Sequence, residues 1–200
     1  MWKNERGSLV LKTAPTVEPV TTAEAKTHLR ITTSDDDTYI GTLIIAARRH
    51  IENIINRALI NQTWNYYLNC FPYDKSYIEI PIGNLSSVTS IKYTNSANSE
   101  TTWTATNYIV DTYSTPGRIV LAYNIDWPSF VEKPVNAVNI EFVSGYGSAA
   151  TAVPEGIKQA ALLLVQHWFD NREMVSDLNL ELIPETVEAL LSPYRIYDFA

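Results

Sequence analysis

Residues 153–169 constrain the fold more than any other stretch. The run Val153-Pro154-Glu155-Gly156-Ile157-Lys158-Gln159-Ala160-Ala161-Leu162-Leu163-Leu164-Val165-Gln166-His167-Trp168-Phe169 reads as a helix with Pro154 in its first turn, where a missing N–H costs nothing. A half-buried helix keeps one apolar stripe, here Ile157, Ala161, Leu164, Val165 and Trp168. Ala160, Leu162, Leu163 and Phe169 carry the apolar surface around most of the circumference. A helix apolar on nearly all sides has to be surrounded, by its own domain or by neighbouring copies. This predicts a central strut or a subunit contact and argues against a catalytic surface.

The period of the hydrophobic pattern changes twice along the chain. Up to about Gln62 it is helical. Thr21-Thr22-Ala23-Glu24 has the form of a capping box, and Ser34-Asp35-Asp36-Asp37 precedes Ile40, Leu43, Ile44, Ala47, Ile51, Ile54, Ile55 and Ala58 at helical spacing. The polar side of that second helix carries Arg48, Arg49, Glu52 and Arg57. From about Thr63 to Gly147 the period is two. Trp64, Tyr66, Leu68 and Cys70 alternate with polar residues and tyrosine, and Tyr77–Ile80, Val88–Thr94, Trp103–Asp111 and Ala137–Ser144 are further strands rich in β-branched and aromatic residues. Thr115-Pro116-Gly117-Arg118 suits a type II turn closing a hairpin between Tyr108–Val110 and Arg118–Leu121. Helical character returns at Val153, and Pro184 opens a short last helix stopped by Pro193.

Helices segregated from strands in sequence predict an α+β fold. The expected architecture is a helical bundle built by both ends of the chain, residues 1–62 and 150–200, with an antiparallel β subdomain inserted at residues 63–149. Two hundred residues suffice for a core without disulfides, and the single Cys70 cannot form an internal bridge. Met1–Arg6 lacks the long apolar region of a secretion signal, and no apolar run approaches a membrane span, which predicts synthesis in a reducing cytosol and no membrane partner.

Net charge is -7, against wrapping nucleic acid by phosphate neutralisation. The excess is lopsided. From Asp170 onward seven acidic residues face two basic ones, so this segment supplies -5 of the total. A solvated helix face accounts for such a surplus; so does a surface that must repel an anion.

Chemistry finds little to work with. None of His28, His50 and His167 has a second histidine or a cysteine three or four residues away, and one cysteine makes no zinc pattern, so no metal or cofactor is expected. Asp35-Asp36-Asp37 lacks the alternating oxygen ligands and the distant glutamate of a calcium loop and fits capping and the helix dipole instead. Nucleophile elbows and glycine-rich phosphate cradles are missing. No catalytic residue is expected. Five tryptophans and twelve tyrosines could line a sugar-binding face, but a sheet core or an interface is the ordinary place for them.

Taken in order, several segments resemble the head–tail connector (adaptor) proteins of tailed double-stranded-DNA bacteriophages. They are Glu18-Pro19-Val20-Thr21-Thr22-Ala23-Glu24-Ala25-Lys26 with His28-Leu29-Arg30, Asp35-Asp36-Asp37 leading into Ile44-Ile45-Ala46-Ala47-Arg48, and Arg57-Ala58-Leu59-Ile60 with Gln62-Thr63-Trp64. Pro116-Gly117-Arg118-Ile119, Trp127-Pro128 and Val143-Ser144-Gly145-Tyr146-Gly147 follow, then His167-Trp168-Phe169, Asn171-Arg172-Glu173, and Glu188-Ala189-Leu190-Leu191 reaching Pro193-Tyr194-Arg195. Each motif alone is weak; their joint order from about Val17 to Arg195 carries the resemblance.

The resemblance implies a non-enzymatic virion protein at the head–tail junction, made in the host cytoplasm. It implies a homo-oligomeric ring of twelve subunits beneath the portal protein, bridging to a stopper or tail-completion protein, with DNA passing through the channel without sequence-specific binding. Tyr194, Arg195, Tyr197 and Phe199 would then be the portal-facing arm. Ile44, Ile51, Ile55, Leu163, Trp168 and Phe169 are the expected subunit-packing residues, and Glu181, Glu185 and Glu188 the expected acidic channel lining. Another head-completion or tail protein, and a carbohydrate-binding module or glycosidase, are the competing readings.

Overall fold

The change of period becomes a change of architecture. The structure, a computed structural model, describes residues 7–73, 75–171 and 185–196. It divides into two compact units, one of Met1–Ala14 with Asn61–Gly145 and one of Pro15–Ile60 with Tyr146–Ala200. Strands fill the first unit and helices the second, so the fold is α+β.

Among the described residues, eight antiparallel strands build the first unit: β1 (Ser8–Thr13), β2 (Gln62–Leu68), β3 (Tyr77–Glu79), β4 (Leu85–Thr94), β5 (Glu100–Trp103), β6 (Tyr108–Asp111), β7 (Arg118–Leu121) and β8 (Val138–Ser144). A five-stranded sheet has the order β1-β2-β8-β4-β5, and a three-stranded sheet the order β3-β7-β6. The central strand β8 shows why the order holds. Val138, Ile140, Phe142 and Ser144 point inward in strict alternation and are fully buried, while the ladder runs Leu68↔Val138 to Gln62↔Ser144 on one side and Tyr93↔Val138 to Leu85↔Ser144 on the other. A one-residue slip would turn this whole apolar set outward.

Three strand expectations are corrected. Ser8–Thr13 was expected in the helical part, yet it is an edge strand paired with β2; nearly every residue is exposed, so it lacks the alternation that marks a half-buried strand. Trp103–Asp111 is two strands in two sheets, separated by a 3-10 turn at Ala105–Asn107. Residues 104–106 are exposed and offer no inward side chain to continue the pleat. The hairpin joining β6 to β7 does form, with Asp111↔Arg118 as its last pair, but not through a type II turn: Thr115–Pro116 is cis and Gly117 does not take a positive φ. Glycine is needed there for space, because a Cβ would stand 2.5 Å from the Cβ of Leu85. The loop is held by Asp111, whose carboxylate accepts bonds from the Ser114 hydroxyl, the Tyr113 and Ser114 amides and the Arg118 guanidinium. Ser114 first, then Arg118, holds the Asp111 carboxyl well below the usual carboxylate range.

The second unit contains α1 (Thr22–Leu29), α2 (Asp37–Ile55), α3 (Glu155–Asp170) and α4 (Glu185–Leu191). The capping box is present in full: the Thr21 hydroxyl accepts from the Glu24 amide and Glu24 accepts from the Thr21 amide. At α2 the expected aspartate cap is absent. Asp36 occupies the cap position without a side-chain capping bond, and Asp37 pairs with Lys26 of α1 at 2.6 Å, tying two helices together. Pro154 is the residue just before α3, and its carbonyl accepts the Ile157 and Lys158 amides.

Ile40, Ile44, Ala47, Ile51 and Ile55 of α2 share one core with Ile157, Ala160, Ala161, Leu164 and Val165 of α3, joined by Ala25, Val187 and Leu191. Leu162, Leu163, Trp168 and Phe169 pack against this core half-buried, so the circumference of α3 is covered in part by its own unit. Among the described residues no helix is long and apolar enough to cross a membrane.

Truncating the β8 interior should therefore be costly. Phe142→Ala is expected to lower unfolding stability by about 3–5 kcal/mol, measured by urea denaturation; a loss below 1 kcal/mol, on the order of a surface change, would contradict its place in the sheet core.

Candidate assembly surfaces

A charged side chain lies within the apolar stripe of α2. Arg48 follows Ile44 by one turn and is only 4% exposed, so the expectation of a solvated arginine fails. Its Nε donates to Glu18 at 2.7 Å and its Nη1 to Glu52 at 2.8 Å. The second oxygen of Glu52 accepts the Leu59 amide at 3.0 Å. Burial acts to lower the Arg48 pKa, but the Glu18 hydrogen bond and the charges of both glutamates outweigh it and raise it. One guanidinium thus fastens the segment before α1, the body of α2 and the chain leaving α2. The signal was present in sequence as an arginine inside an isoleucine stripe with a glutamate at i+4.

Arg57 performs a similar task at the other end of the chain. Its Nε donates to the Tyr194 carbonyl at 2.7 Å, and the Ile196 amide donates to the Ile55 carbonyl at 3.1 Å. Tyr194 packs half-buried on the helical core, close enough to α3 that a Cβ at Gly156 would lie 3.2 Å from its hydroxyl. The chain up to Ile196 is therefore folded back on its own unit, and Tyr194 sits at the base of the expected portal-facing arm. Arg195 is exposed; Tyr197 and Phe199 lie outside the described residues.

The expected subunit-packing residues divide by depth. Ile44, Ile51 and Ile55 are inside the unit's own core and unavailable to a neighbour. Leu163, Trp168 and Phe169 remain half-exposed. Phe169 faces Tyr39 with ring centroids 6.1 Å apart, and Trp168 meets His50 edge-on at 5.8 Å.

Glu185 and Glu188 are both exposed on α4, and Glu181 lies outside the described residues. The two described glutamates do not stand on a bare wall. With Ile54, Ala189, Leu191 and Arg195 they line an open groove of about 320 Å³.

Aromatic rings of the β unit face one another: Phe71 stacks on Trp127 at 5.2 Å, and Trp103 stacks on Tyr108 at 5.4 Å. Phe71, Trp103 and Tyr108 are buried, so these faces are occupied by neighbours and are not a platform for sugars. Among the described residues no group of three or more His, Cys, Asp or Glu is placed to hold a metal ion. His28 instead bonds Gln166 at 2.9 Å, and Asn171 reaches the carbonyl of His167 at 2.7 Å.

Arg48→Ala would leave Glu18 and Glu52 facing the core without their cation. The expected loss is roughly 3 kcal/mol of unfolding stability, with Arg48→Lys recovering part of it, since an ammonium cannot reproduce the two-pronged geometry. Thermal and urea unfolding of both variants measure it.

No curated protein matches the sequence. Among solved structures, a chain from the neck of an empty gene transfer agent (GTA) particle computed with C6 symmetry superposes with a TM-score of 0.80 at 23% identity, covering 96% of this chain and 97% of that one. A chain from the virion of a native GTA particle gives 0.78 at 23% identity, and one from the neck of a native particle computed with C12 symmetry gives 0.72 at 22%, each covering 96% of this chain and 97% of its own. These likenesses establish the fold. The family model for head completion proteins matches residues 18–197, from the Glu18 that holds Arg48 to one residue past the Ile196 that closes on α2, and the chain belongs to the head completion protein family.

Proposed function

We propose that this protein is the adaptor of a tailed particle: a structural protein without catalytic activity that forms a ring between the portal and the stopper or tail, completing the head after DNA packaging. The family match over residues 18–197 carries the reading. Fold likeness to chains of GTA necks over 96% of the sequence supports it, and the C6 and C12 symmetries of those necks support a ring, here of twelve subunits. On this reading the helical unit is the adaptor's bundle, with residues 61–145 of the β unit inserted in it. The site of action is the head–tail junction of the virion, after synthesis in the host cytoplasm.

The physical demands of the role are met by ordinary chemistry. A ring needs two different complementary faces on every subunit. Half-exposed Leu163, Trp168 and Phe169 offer apolar area for one of them. A channel that DNA traverses must not bind phosphate, and a chain of net charge -7 supplies repulsion where a basic wall would hold the strand. The portal-facing arm is assigned to Arg195 with Tyr197 and Phe199, while Tyr194 anchors the arm's base through Arg57.

Two measurements test the reading. Negative-stain imaging of the protein mixed with portal-bearing heads should reveal an added ring of density below the portal; heads left unchanged at every protein concentration would refute it. A chain ending at Ile196 keeps every described contact, so it should stay folded and soluble while docking to those heads weakens. Undiminished docking would remove the arm from the portal contact.

A further inference from the structure

The helical unit carries two unneutralised surfaces of opposite charge on different flanks of one helix. On the solvent side of α2, Ile45 is 40% exposed, and Arg49 stands one turn further along. Arg49 has no ion-pair partner among the described residues, unlike Lys26, Arg48 and Lys158 of the same unit. The groove between α2 and α4 presents the reverse combination. Ile54, Ala189 and Leu191 give it an apolar floor, and Glu185 and Glu188 bring two carboxylates against the single guanidinium of Arg195. Neither glutamate has an ion-pair partner among the described residues, whereas Glu155, Glu18 and Glu52 each have one. Arg49 and Ile54 are five positions apart, which at 3.6 residues per turn puts them about 140° apart around the helix axis.

We propose that Ile45 and Arg49 of one subunit seat in the α2–α4 groove of the next, with Ile45 on the apolar floor and Arg49 against Glu185 and Glu188. This rests on the ring reading above and deepens it by naming the contact. A closed ring of identical subunits joins head to tail, so its two faces must differ and must complement each other. A patch pairing an apolar side chain with a cation, and a groove pairing an apolar floor with excess carboxylate, satisfy both conditions on a single chain. Their separation around α2 lets one subunit use both at once, so the contact propagates to a neighbour on each side. The groove's volume of about 320 Å³ accommodates side chains, which suits a protruding pair of residues. Glu185 and Glu188 are thereby assigned to the subunit boundary and withdrawn from the DNA-facing wall.

Arg49 is exposed, so changing it leaves the fold within the small range of surface substitutions. Portal-bearing heads are loaded with an equal mixture of isotope-labelled and unlabelled Arg49→Lys protein, then treated with a carbodiimide, which joins an amine to a carboxylate in contact. The expected product is a mixed-isotope peptide linking position 49 to Glu185 or Glu188. Mixed-isotope links that avoid this pair overturn the contact and leave the ring standing; loaded heads with no mixed-isotope link of any kind overturn both. Charge exchange gives a second readout on the unlabelled protein. Arg49→Glu alone, and Glu185→Lys with Glu188→Lys, should each lower occupancy of the heads by about tenfold or more, and the three changes together should restore it. Single exchanges without effect, or a combined variant no better than either, would also refute the pairing.

Discussion

The buried guanidinium of Arg48 is the interaction on which the helical unit depends. Hydrophobic burial alone would bring α2 and α3 together, because Ile40, Ile51, Ile157 and Leu164 have nowhere else to go. Apolar contact is not directional, however, and leaves free how the segment leading into α1 and the loop leaving α2 are arranged. Arg48 settles both through hydrogen bonds to Glu18 and Glu52, the latter also receiving the Leu59 amide. Removing charges from water is expensive, so such a group is stable only when its donors are matched in place. That requirement turns a general collapse into one particular arrangement of the chain.

Its consequences reach the C-terminus. The same end of α2 that Glu52 organises carries Asn56 in the left-handed conformation, with its amide returned to the Glu52 carbonyl. The reversed chain brings Arg57 to the Tyr194 carbonyl, and the Ile55 carbonyl to the Ile196 amide. The last described turn is consequently fastened to α2, and Ile54 is left at the edge of the groove that α4 borders. Core geometry and candidate interface thus share a helix: α2 uses one face for the interior and two others for surfaces.

Legibility in sequence followed the strength of the local signal. The capping box at Thr21 and Glu24, the α2 isoleucine stripe and the alternation of β8 were readable because periodicity and burial coincide there. Strand β1 was not, since an exposed edge strand buries too little to show a pattern. The break after Trp103 was hidden for the opposite reason: large aromatics on both sides suggested one strand, although the intervening residues face solvent. Depth was the hardest quantity to read. Spacing put Ile44, Ile51, Ile55 and Trp168 on apolar faces alike, yet only three-dimensional packing tells which meet their own unit and which stay half-exposed.

The charge distribution follows the same logic. An excess of carboxylate near the C-terminus reads in sequence as one property, but its members have different neighbours. Glu185 and Glu188 border apolar side chains and an arginine, surroundings that favour a protein contact over a purely repellent wall. Repulsion of DNA needs only net charge facing the strand, whereas recognition of a subunit needs charge placed beside buried area. On the adaptor reading proposed above the chain has to do both, and separating the two in space would keep the attraction between subunits from depending on whether DNA is in the channel.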